Sequence, residues 1–419
     1  MALFLLVSVG QFAVQTLMDY RTFIRDNARW LTGGFMLCLF SSFGQTFFIS
    51  LSGGHIRAEY GLSNGEWGSL YMFATLASAL TLPVLGRIVD FLSVAKTALI
   101  VIPMLALACG LMAVSTHWLL LIGTIYLLRL FGQGMMTHTS MTAMGRWYSG
   151  HRGRAVSIAT LGHQAGEALL PIVMVALFFW IGWRGTWALS VGFLLLVALP
   201  IVYLTMRVER QPKLNDKKEV KRISKDWTRA EVLRDPLFWL LLLGVLAPSF
   251  IGTTIFFHQA YLLEIRGWGA EAFASAFIVM ATMTITFALI SGYLVDRFGS
   301  VRVLPFYFLP LAMACFSLYG ISPEFGIYIF MAFLGISYGI SSTLFGAIWP
   351  EIYGTLHLGA IRSVTVAMMV FSSAMGPGVT GLLIDAGVSY LLQIFVMGCY
   401  CLAASLIMLF VTRKLLSRT

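Results

Sequence analysis

The sequence predicts an all-α membrane protein in which twelve transmembrane helices form two six-helix bundles related by a pseudo-two-fold axis. Three observations support this fold class: an apolar composition, a regular succession of long apolar runs, and one residue pattern that recurs at a constant offset. Of 419 residues, 59% are hydrophobic and 11% are charged, and the mean hydropathy is +0.86. A single soluble core cannot bury that much apolar surface, so lipid is the expected solvent.

Apolar runs long enough to cross a membrane follow one another along the whole chain. A helix needs about 20 apolar residues to cross a hydrocarbon layer ~30 Å thick. The predicted spans are 31–52, 67–86, 97–115, 118–145, 153–179, 185–206, 237–262, 272–293, 301–320, 324–348, 361–384 and 388–411.

Lysine and arginine fall in alternate loops, all on one predicted side of the membrane. They are Arg21, Arg25, Arg29, Arg87, Lys96, Arg146, Arg152, Arg154, Arg297, Arg302, Arg413, Lys414 and Arg418. Because cytoplasmic loops are enriched in these residues, we predict a multi-pass protein of the inner (plasma) membrane with both termini in the cytoplasm. The net charge of +10 is then a topological signal, and no nucleic-acid partner is expected.

A polar, lysine-rich segment at 208–236 separates six predicted spans from six. It predicts a cytoplasmic linker with one amphipathic turn near Trp227–Leu233 at the membrane surface. The predicted domains are therefore an N-terminal six-helix bundle at 31–207 and a C-terminal six-helix bundle at 237–412.

The two ends of the chain, 1–30 and 413–419, are predicted to be cytoplasmic. Residues 1–17 are apolar but carry neither a basic n-region nor a small-residue cleavage site, so they do not read as a secretory signal. We expect translation to begin at Met18, with residues 1–17 absent from the mature protein.

Identical or similar residues recur at an offset of 206 in both halves. The pairs are Gly86 and Gly292, Asp90 and Asp296, Lys96 and Arg302, Gly153 and Gly359, Ser157 and Ser363, and Pro171 and Pro377. One offset that aligns two loops and a helix interior indicates a duplicated six-helix unit, and parallel repeats of this kind build transporters whose halves move about a central site.

The stretch GYLVDRFGSVR, Gly292 to Arg302, carries the pattern G-x-x-x-D-R-x-G between the eighth and ninth spans. With twelve spans and a basic linker, it resembles the major facilitator superfamily from about Arg29 to the end of the chain. The resemblance implies alternating access and a conformational latch at this loop, formed by Gly292, Asp296, Arg297, Gly299 and Arg302. The N-terminal copy keeps Gly86 and Asp90 but has Phe91 and Ser93 where the family has arginine and glycine.

Two further stretches are similar to the monocarboxylate and oxalate/formate branch of that superfamily. RWYSGHRGRAVSIATLGHQAGEALLP, Arg146 to Pro171, resembles the start of its fifth helix, and DWTRAEVLRDPLFW, Asp226 to Trp239, the start of its seventh. The branch implies a carboxylate substrate held by a cation in helix eight or eleven. Helix eight of this sequence has no such cation, which weakens the anionic interpretation.

Ionisable side chains inside the spans are the first candidates for substrate binding or proton coupling, because burying them in a membrane is costly. Arg129 lies about 16 Å deep in the fourth span, and Arg129, Gly132 and Gly134 resemble the family's fourth-helix motif with a spacing shifted by one. His163 and Glu167 are four residues apart and share a face of the fifth span. We expect Glu167 to meet Arg129, either as a proton-sensitive group or as a structural ion pair.

Three polar side chains are secondary candidates: Gln45 in the first span, Gln133 in the fourth, and His258 late in the seventh. His258 is expected at an external gate rather than at the centre. Each is also suited to interhelical hydrogen bonding, which is common in membrane bundles.

Methionine and histidine are frequent in the fourth span and suggest an alternative binding site, one for Cu(I). His138, Met141 and Met144 recur every three residues, so we expect them to share a face of the helix. Their thioether and imidazole groups are ligands that suit Cu(I). The alternative reading is irregular packing by methionine. The five cysteines lie in apolar runs without metal-ligand spacing.

The sequence lacks a Walker loop, GxSxG, HExxH or paired cysteines, so an enzyme is not expected. We predict a monomeric secondary transporter without cofactor or resident metal, moving a small polar organic solute, first a monocarboxylate-like anion, with protons. A metal-ion importer of the same superfamily and a non-transporting receptor or regulator remain as alternatives.

Overall fold

The computed structural model describes residues 2–86, 88–148, 152–211, 226–354 and 358–417, and within these ranges it contains helices but no strand. The helices are α1 Ala2–Phe40, α2 Thr46–Ile49, α3 Gly53–Tyr60, α4 Asn64–Leu85, α5 Ile88–Phe91, α6 Val94–Val114, α7 Trp118–Leu127, α8 Thr137–Trp147, α9 Arg152–Phe193, α10 Leu199–Met206, α11 Arg229–Arg234, α12 Pro236–Phe257, α13 Gln259–Arg266, α14 Ala270–Phe298, α15 Ser300–Val303, α16 Phe308–Gly320, α17 Gly326–Tyr353, α18 Leu358–Asp385 and α19 Tyr390–Leu416.

The described helices account for twelve membrane crossings. Ten helical stretches are long and apolar enough to span, and a bent pair, Arg21–Gly44 with Thr46–Tyr60, makes an eleventh. The stretch Arg154–Met206 is 53 residues long, about 80 Å if straight, which is far more than one crossing. It is interrupted at Gly182, whose φ of 69° and ψ of 167° are not helical, and therefore supplies two crossings.

The first span differs from the straight helix expected over 31–52. α1 runs from Ala2 to Phe40, so the predicted N-terminal segment 1–30 is helical from Ala2 onward. After Phe40 the chain makes a 3₁₀ turn at Ser41–Gly44, becomes extended at Gln45 and resumes as α2. The two parts of the span meet at 44°.

The most extensive contacts between the helices that precede the linker and those that follow it are made by two helix pairs. α4, the second span, packs against α18, the eleventh, and α9, which holds the fifth, packs against α14, the eighth. Exchanging the two halves turns the first pair into the second, as a pseudo-two-fold axis requires. This arrangement supports the predicted fold class.

Small residues let the helices approach closely. A side-chain carbon at Gly162 would overlap the Phe35 carbonyl oxygen of α1, and one at Gly166 would overlap the Ser42 hydroxyl. Gly335 and Gly339 play the same part between α17 and α14. Such contacts replace the hydrophobic driving force that lipid does not provide.

The helical bundle has two ends, here called the linker face and the opposite face. The linker face holds residues 207–211 and 226–235, the two sides of the predicted linker, of which 212–225 lie outside the described residues. The opposite face holds the loop after α3, the α12–α13 junction and the loop before α19.

Candidate functional site

The break in the first span lies against a bulge in the fourth. Residues Leu128–Met136, between α7 and α8, form a π-helical segment, a feature that is frequent at functional sites. A side chain at Gly44 would overlap the Leu128 carbonyl oxygen and would come within 2.7 Å of the Gly132 Cα atom. Only glycine at these positions lets the two irregular segments meet.

Arg129 projects from this bulge into the break. Its side chain is 1% exposed, and Nη1 donates to the Gly44 carbonyl oxygen and to Thr46 Oγ1, both at 3.2 Å. The guanidinium carbon lies 5.4 Å from the centre of the Tyr71 ring, and the Tyr71 hydroxyl lies 2.5 Å from Thr46 Oγ1. The cation is thus held by a carbonyl that the broken helix leaves free.

One edge of the Arg129 guanidinium is not engaged. Nε and Nη2 are buried and have no hydrogen-bond partner among the described residues. These two donors form the fork that matches a carboxylate or phosphate bidentately. A buried arginine with an unused fork therefore has the chemistry of an anion site.

His163 and Glu167 lie next to each other on α9, with Nε2 and Oε1 3.5 Å apart. Glu167 is 7% exposed, whereas the His163 side chain is more open. Tyr338 lies on α17 in the second half of the chain. The Tyr338 hydroxyl occupies the space that a side chain at Gly252 would fill.

The expected contact between Arg129 and Glu167 is not formed. The carboxylate of Glu167 pairs with His163, and the guanidinium of Arg129 binds the first span. The expectation was wrong because it assumed straight helices, in which equal depth brings side chains together. The bulge and the break turn Arg129 toward Gly44 instead.

The other predicted polar residues fall in two places. Gln45 is the extended residue in the break of the first span, and Gln133 lies in the bulge of the fourth; both are half-buried. His258 caps α12 at the opposite face, where its Nε2 donates to the Pro377 carbonyl oxygen at 3.0 Å. The external gate that the sequence analysis expects at this residue stays a prediction.

An aromatic layer, which the sequence analysis missed, lies beside these groups and joins the two halves. The ring of Phe47 is 5.8 Å from that of Phe277 and 6.2 Å from His163. On the other side, Phe257 stacks on Trp67 at 5.2 Å and contacts Tyr71 at 4.6 Å. The aromatic residues of α2, α4, α12 and α14 thus contact one another across the two halves of the bundle.

A polar clasp closes the opposite face above the aromatic layer. Asp385 Oδ2, at the end of α18, accepts from Ser63 Oγ at 2.6 Å and from the Gly65 backbone N–H at 2.8 Å. Gln259 Nε2 donates to Ser50 Oγ at 2.8 Å. These three hydrogen bonds join 31–207 to 237–412, and the carboxylate also lies at the positive end of α4.

The loop motif G-x-x-x-D-R-x-G, which begins at Gly292, lies at the linker face. Gly299 ends α14 with φ of 83°, and Glu351 of α17 accepts from the Ser300 backbone N–H at 2.8 Å and from its hydroxyl at 2.5 Å. A side chain at Gly292 would meet no atom of the described residues within 4 Å.

The remaining motif residues are described in part. Arg297 and Arg302 are exposed, and Gly86 ends α4. Residue 87 and the side chains of Asp90 and Asp296 lie outside the described residues, and the carboxylates of the predicted latch lie outside them as well.

Two residues of the alternative copper site, His138 and Met144, contact different helices. The His138 imidazole approaches Gly86 of α4, while the Met144 sulfur approaches Gly34 of α1. His138 and Met144 point to different neighbours because two steps of about 60° separate them around the helix axis. Met141 lies between them and is half-buried. In the described part of the chain, no group of three His, Cys, Asp or Glu side chains has metal-binding geometry.

Twelve crossings, a broken first span and a buried arginine beside it define a helical membrane protein with polar groups inside its bundle. The chain belongs to the Major Facilitator Superfamily, whose sequence profile matches residues 34–377. No curated protein sequence matches the chain significantly.

Solved structures share this fold at low sequence identity. A bacterial homolog to the human lysosomal transporter Spinster, in an inward-facing and unoccupied conformation, superposes with a TM-score of 0.68 and 17% identity over 95% of this chain and 98% of its own. A mutant of the nucleoside transporter NupG gives a TM-score of 0.65 and 15% identity over 92% and 99%. At these identities the comparison establishes the fold.

Proposed function

We propose that this protein is a secondary transporter that moves a small carboxylate-bearing organic solute by alternating access, with Arg129 as the anion-binding residue. The observation that supports this most strongly is the unpartnered Nε and Nη2 of a side chain that is 1% exposed. Leaving charged donors unpaired in a membrane bundle costs free energy, and such residues mark substrate or ion pathways.

The discontinuous first span adds to this proposal. Broken helices supply free backbone groups at the binding sites of transporters. Here Gly44 holds one edge of the guanidinium, so the other edge is fixed in direction before a ligand arrives. A preorganised fork loses less entropy on binding than a mobile one.

Proton coupling is proposed for His163 and Glu167. They are 3.5 Å apart, and the His163 ring lies 6.2 Å from Phe47 of the aromatic layer, which contacts Phe277 of the other half. A proton gained or lost by this pair changes the charge between the halves, and a change in charge biases their equilibrium. In this proposal, the linker face is cytoplasmic in the inner membrane and the clasped face is external.

The first experiment measures thermal stability of the purified protein with a panel of carboxylates, amino acids, sugars and Cu(I). A ligand that binds the folded state raises the melting temperature by mass action. We expect a carboxylate to raise it in the native protein and not in Arg129→Lys, which keeps the charge but loses the fork. Arg184→Lys is the control, because Arg184 binds Glu59 and the α6 carboxyl end, away from the bundle interior.

A panel without any carboxylate response, or an unchanged response in Arg129→Lys, would contradict the anion site. A response to Cu(I) alone would favour the metal importer instead.

Coupling is tested separately by uptake into proteoliposomes. Glu167→Gln is expected to abolish uptake driven by a pH gradient, because the amide cannot exchange a proton, while counterflow of substrate at equal pH continues. Uptake that still follows the pH gradient in this variant would reject Glu167 as the coupling group.

A further inference from the structure

Tyr71, on α4, connects the Arg129 region to the second half of the chain. Its side chain is fully buried. The hydroxyl lies 2.5 Å from Thr46 Oγ1 in the broken first span, and the ring centre lies 4.6 Å from that of Phe257, the last residue of α12. One buried side chain therefore contacts both the break to which Arg129 is bound and the end of the seventh span.

Thr46 Oγ1 is the atom through which Tyr71 and Arg129 are joined. It accepts a hydrogen bond from Arg129 Nη1 at 3.2 Å, and it is also hydrogen-bonded to the Tyr71 hydroxyl. Hydrogen bonds in a chain polarise one another, and a bond from a charged donor is stronger than a neutral one. A change in the hydrogen bond of Arg129 therefore alters the bond between Thr46 and Tyr71.

The ring of Tyr71 makes a separate contact with the cation. The Arg129 guanidinium carbon lies 5.4 Å from the ring centre, within the range of a cation–π interaction. The ring thus contacts Arg129 directly, whereas the hydroxyl is connected to Arg129 through Thr46. Replacing Tyr71 by phenylalanine separates the two connections, because it removes the hydroxyl and keeps the ring.

The end of the seventh span is a place where the second half contacts the first. Phe257 stacks on Trp67 of α4 at 5.2 Å, and Gln259 donates a hydrogen bond to Ser50 Oγ at 2.8 Å. These contacts must separate when the opposite face opens. Because the bond to Thr46 holds the Tyr71 ring against Phe257, a weaker bond there favours opening.

A carboxylate bound at Nε and Nη2 of Arg129 would neutralise much of the guanidinium charge. The hydrogen bond from Nη1 to Thr46 would then weaken, since its strength depends on that charge. The bond between Thr46 and Tyr71 would weaken with it, because the two bonds share Thr46 Oγ1. Occupancy of the anion site and closure of the opposite face thus oppose each other.

We propose that Tyr71 is a positioning residue that couples occupancy of the Arg129 fork to opening of the opposite face, through its hydrogen bond to Thr46. A bound carboxylate shifts the population toward the open face, and by linkage an open face binds the carboxylate more tightly. The inference rests on the proposed function, because it takes Arg129 as the anion-binding residue.

The test measures the ratio of open to closed molecules in the full-length protein in detergent, with L-lactate as the probe. Spin labels at Thr116 and Glu324, on loops of the two halves at this face, report the distance. Lactate should raise the ratio about five-fold in the native protein, because one hydrogen bond is weakened. In Tyr71→Phe the rise should be absent, although lactate still raises the melting temperature.

Tyr126→Phe is the matched control. It also removes a buried-side hydroxyl from a tyrosine, but the Tyr126 hydroxyl donates to Thr81 Oγ1 at 3.2 Å, and both residues belong to the first half. This variant should keep the native response to lactate. An equal rise of the open fraction in the native protein and in Tyr71→Phe would overturn the proposal.

Melting temperatures of the same samples distinguish failure of this inference from failure of the proposed function. If lactate raises the melting temperature of the native protein without changing the distances, the coupling is wrong and the anion site stands. If lactate changes neither, the anion site is contradicted, and the coupling with it.

A second measurement uses no ligand. Thr46→Val and Tyr71→Phe each remove the hydrogen bond between the two side chains, so each should raise the open fraction. The double variant should not exceed Thr46→Val, because the bond is already lost in that variant. Ratios that multiply in the double variant would show that the two hydroxyls act independently and would overturn the proposal.

Discussion

Gly292 and Gly299 belong to one loop motif, but the structure gives them different roles. Gly299 has φ of 83° and ψ of 151°, a backbone region that is almost restricted to glycine. Gly292 lies inside α14, and a side chain there would meet nothing within 4 Å. The motif therefore needs its second glycine for the turn, while its first is not required for packing in this state.

Alanine substitution tests this difference at the residue scale. Gly299→Ala should destabilise the protein by about 1–3 kcal/mol because of backbone strain. Gly292→Ala should be neutral or stabilising by up to ~1 kcal/mol, because alanine favours the helix. Thermal unfolding of the two variants in the same detergent measures both effects. A larger loss for Gly292→Ala would show that the first glycine makes a contact in another conformation.

At the scale of elements, the first and fourth spans depend on each other. The break at Ser41–Gln45 frees the Gly44 carbonyl oxygen, and the π-helical segment of the fourth span brings Arg129 to it. Gly44 and Gly132 allow the two backbones to touch. Neither irregular segment is explained by its own sequence. Each supplies a hydrogen-bonding group that the other needs: the first span offers the Gly44 carbonyl oxygen, and the fourth offers the Arg129 guanidinium.

Gly44→Ala should therefore disturb both spans. The added carbon would overlap backbone atoms of Leu128 that cannot move independently, and overpacking of this kind costs about 1–3 kcal/mol. Gly123→Ala is the matched control in the fourth span, because a side chain there would meet nothing within 4 Å. We expect Gly44→Ala to lower the melting temperature and to abolish carboxylate stabilisation, while Gly123→Ala keeps both. Native behaviour of Gly44→Ala would show that the contact is dispensable.

At the scale of the whole molecule, the contacts at the clasped face favour the conformation in which that face is closed. Asp385 binds Ser63 and the start of α4, and the aromatic layer lies directly beneath. These contacts cross between the halves and must break if the opposite face opens. The clasp thus stabilises the state with that face closed.

Asp385→Asn should shift the population toward opening of this face. Removing the charge weakens two hydrogen bonds, and a loss of about 1 kcal/mol changes the ratio of states about five-fold. Spin labels at Thr116 and Glu324, on loops of the two halves at this face, should report a larger fraction of long distances. Glu264→Gln is the control, since Glu264 is an exposed acid on the same face. An unchanged distance distribution in Asp385→Asn would show that Asp385 does not hold this face closed and would leave the Gln259–Ser50 hydrogen bond and the aromatic layer as its contacts.

The sequence by itself determined the spans, the two-fold repeat, the family resemblance and the adjacency of His163 and Glu167. These follow from local rules: span length, a constant offset and the helix period that brings residues four apart onto one face. The sequence also identified Arg129 as a buried cation.

Only the tertiary structure decided which side chains and helices contact each other. Arg129 binds the first span and not Glu167, His138 and Met144 face different helices, Asp385 reaches α4, and Tyr71 contacts Phe257. Each outcome depends on which faces of distant helices meet and on where a helix breaks. Helix periodicity fixes a residue's direction relative to its own axis, but the rotation of that axis against its neighbours is set by packing across the bundle.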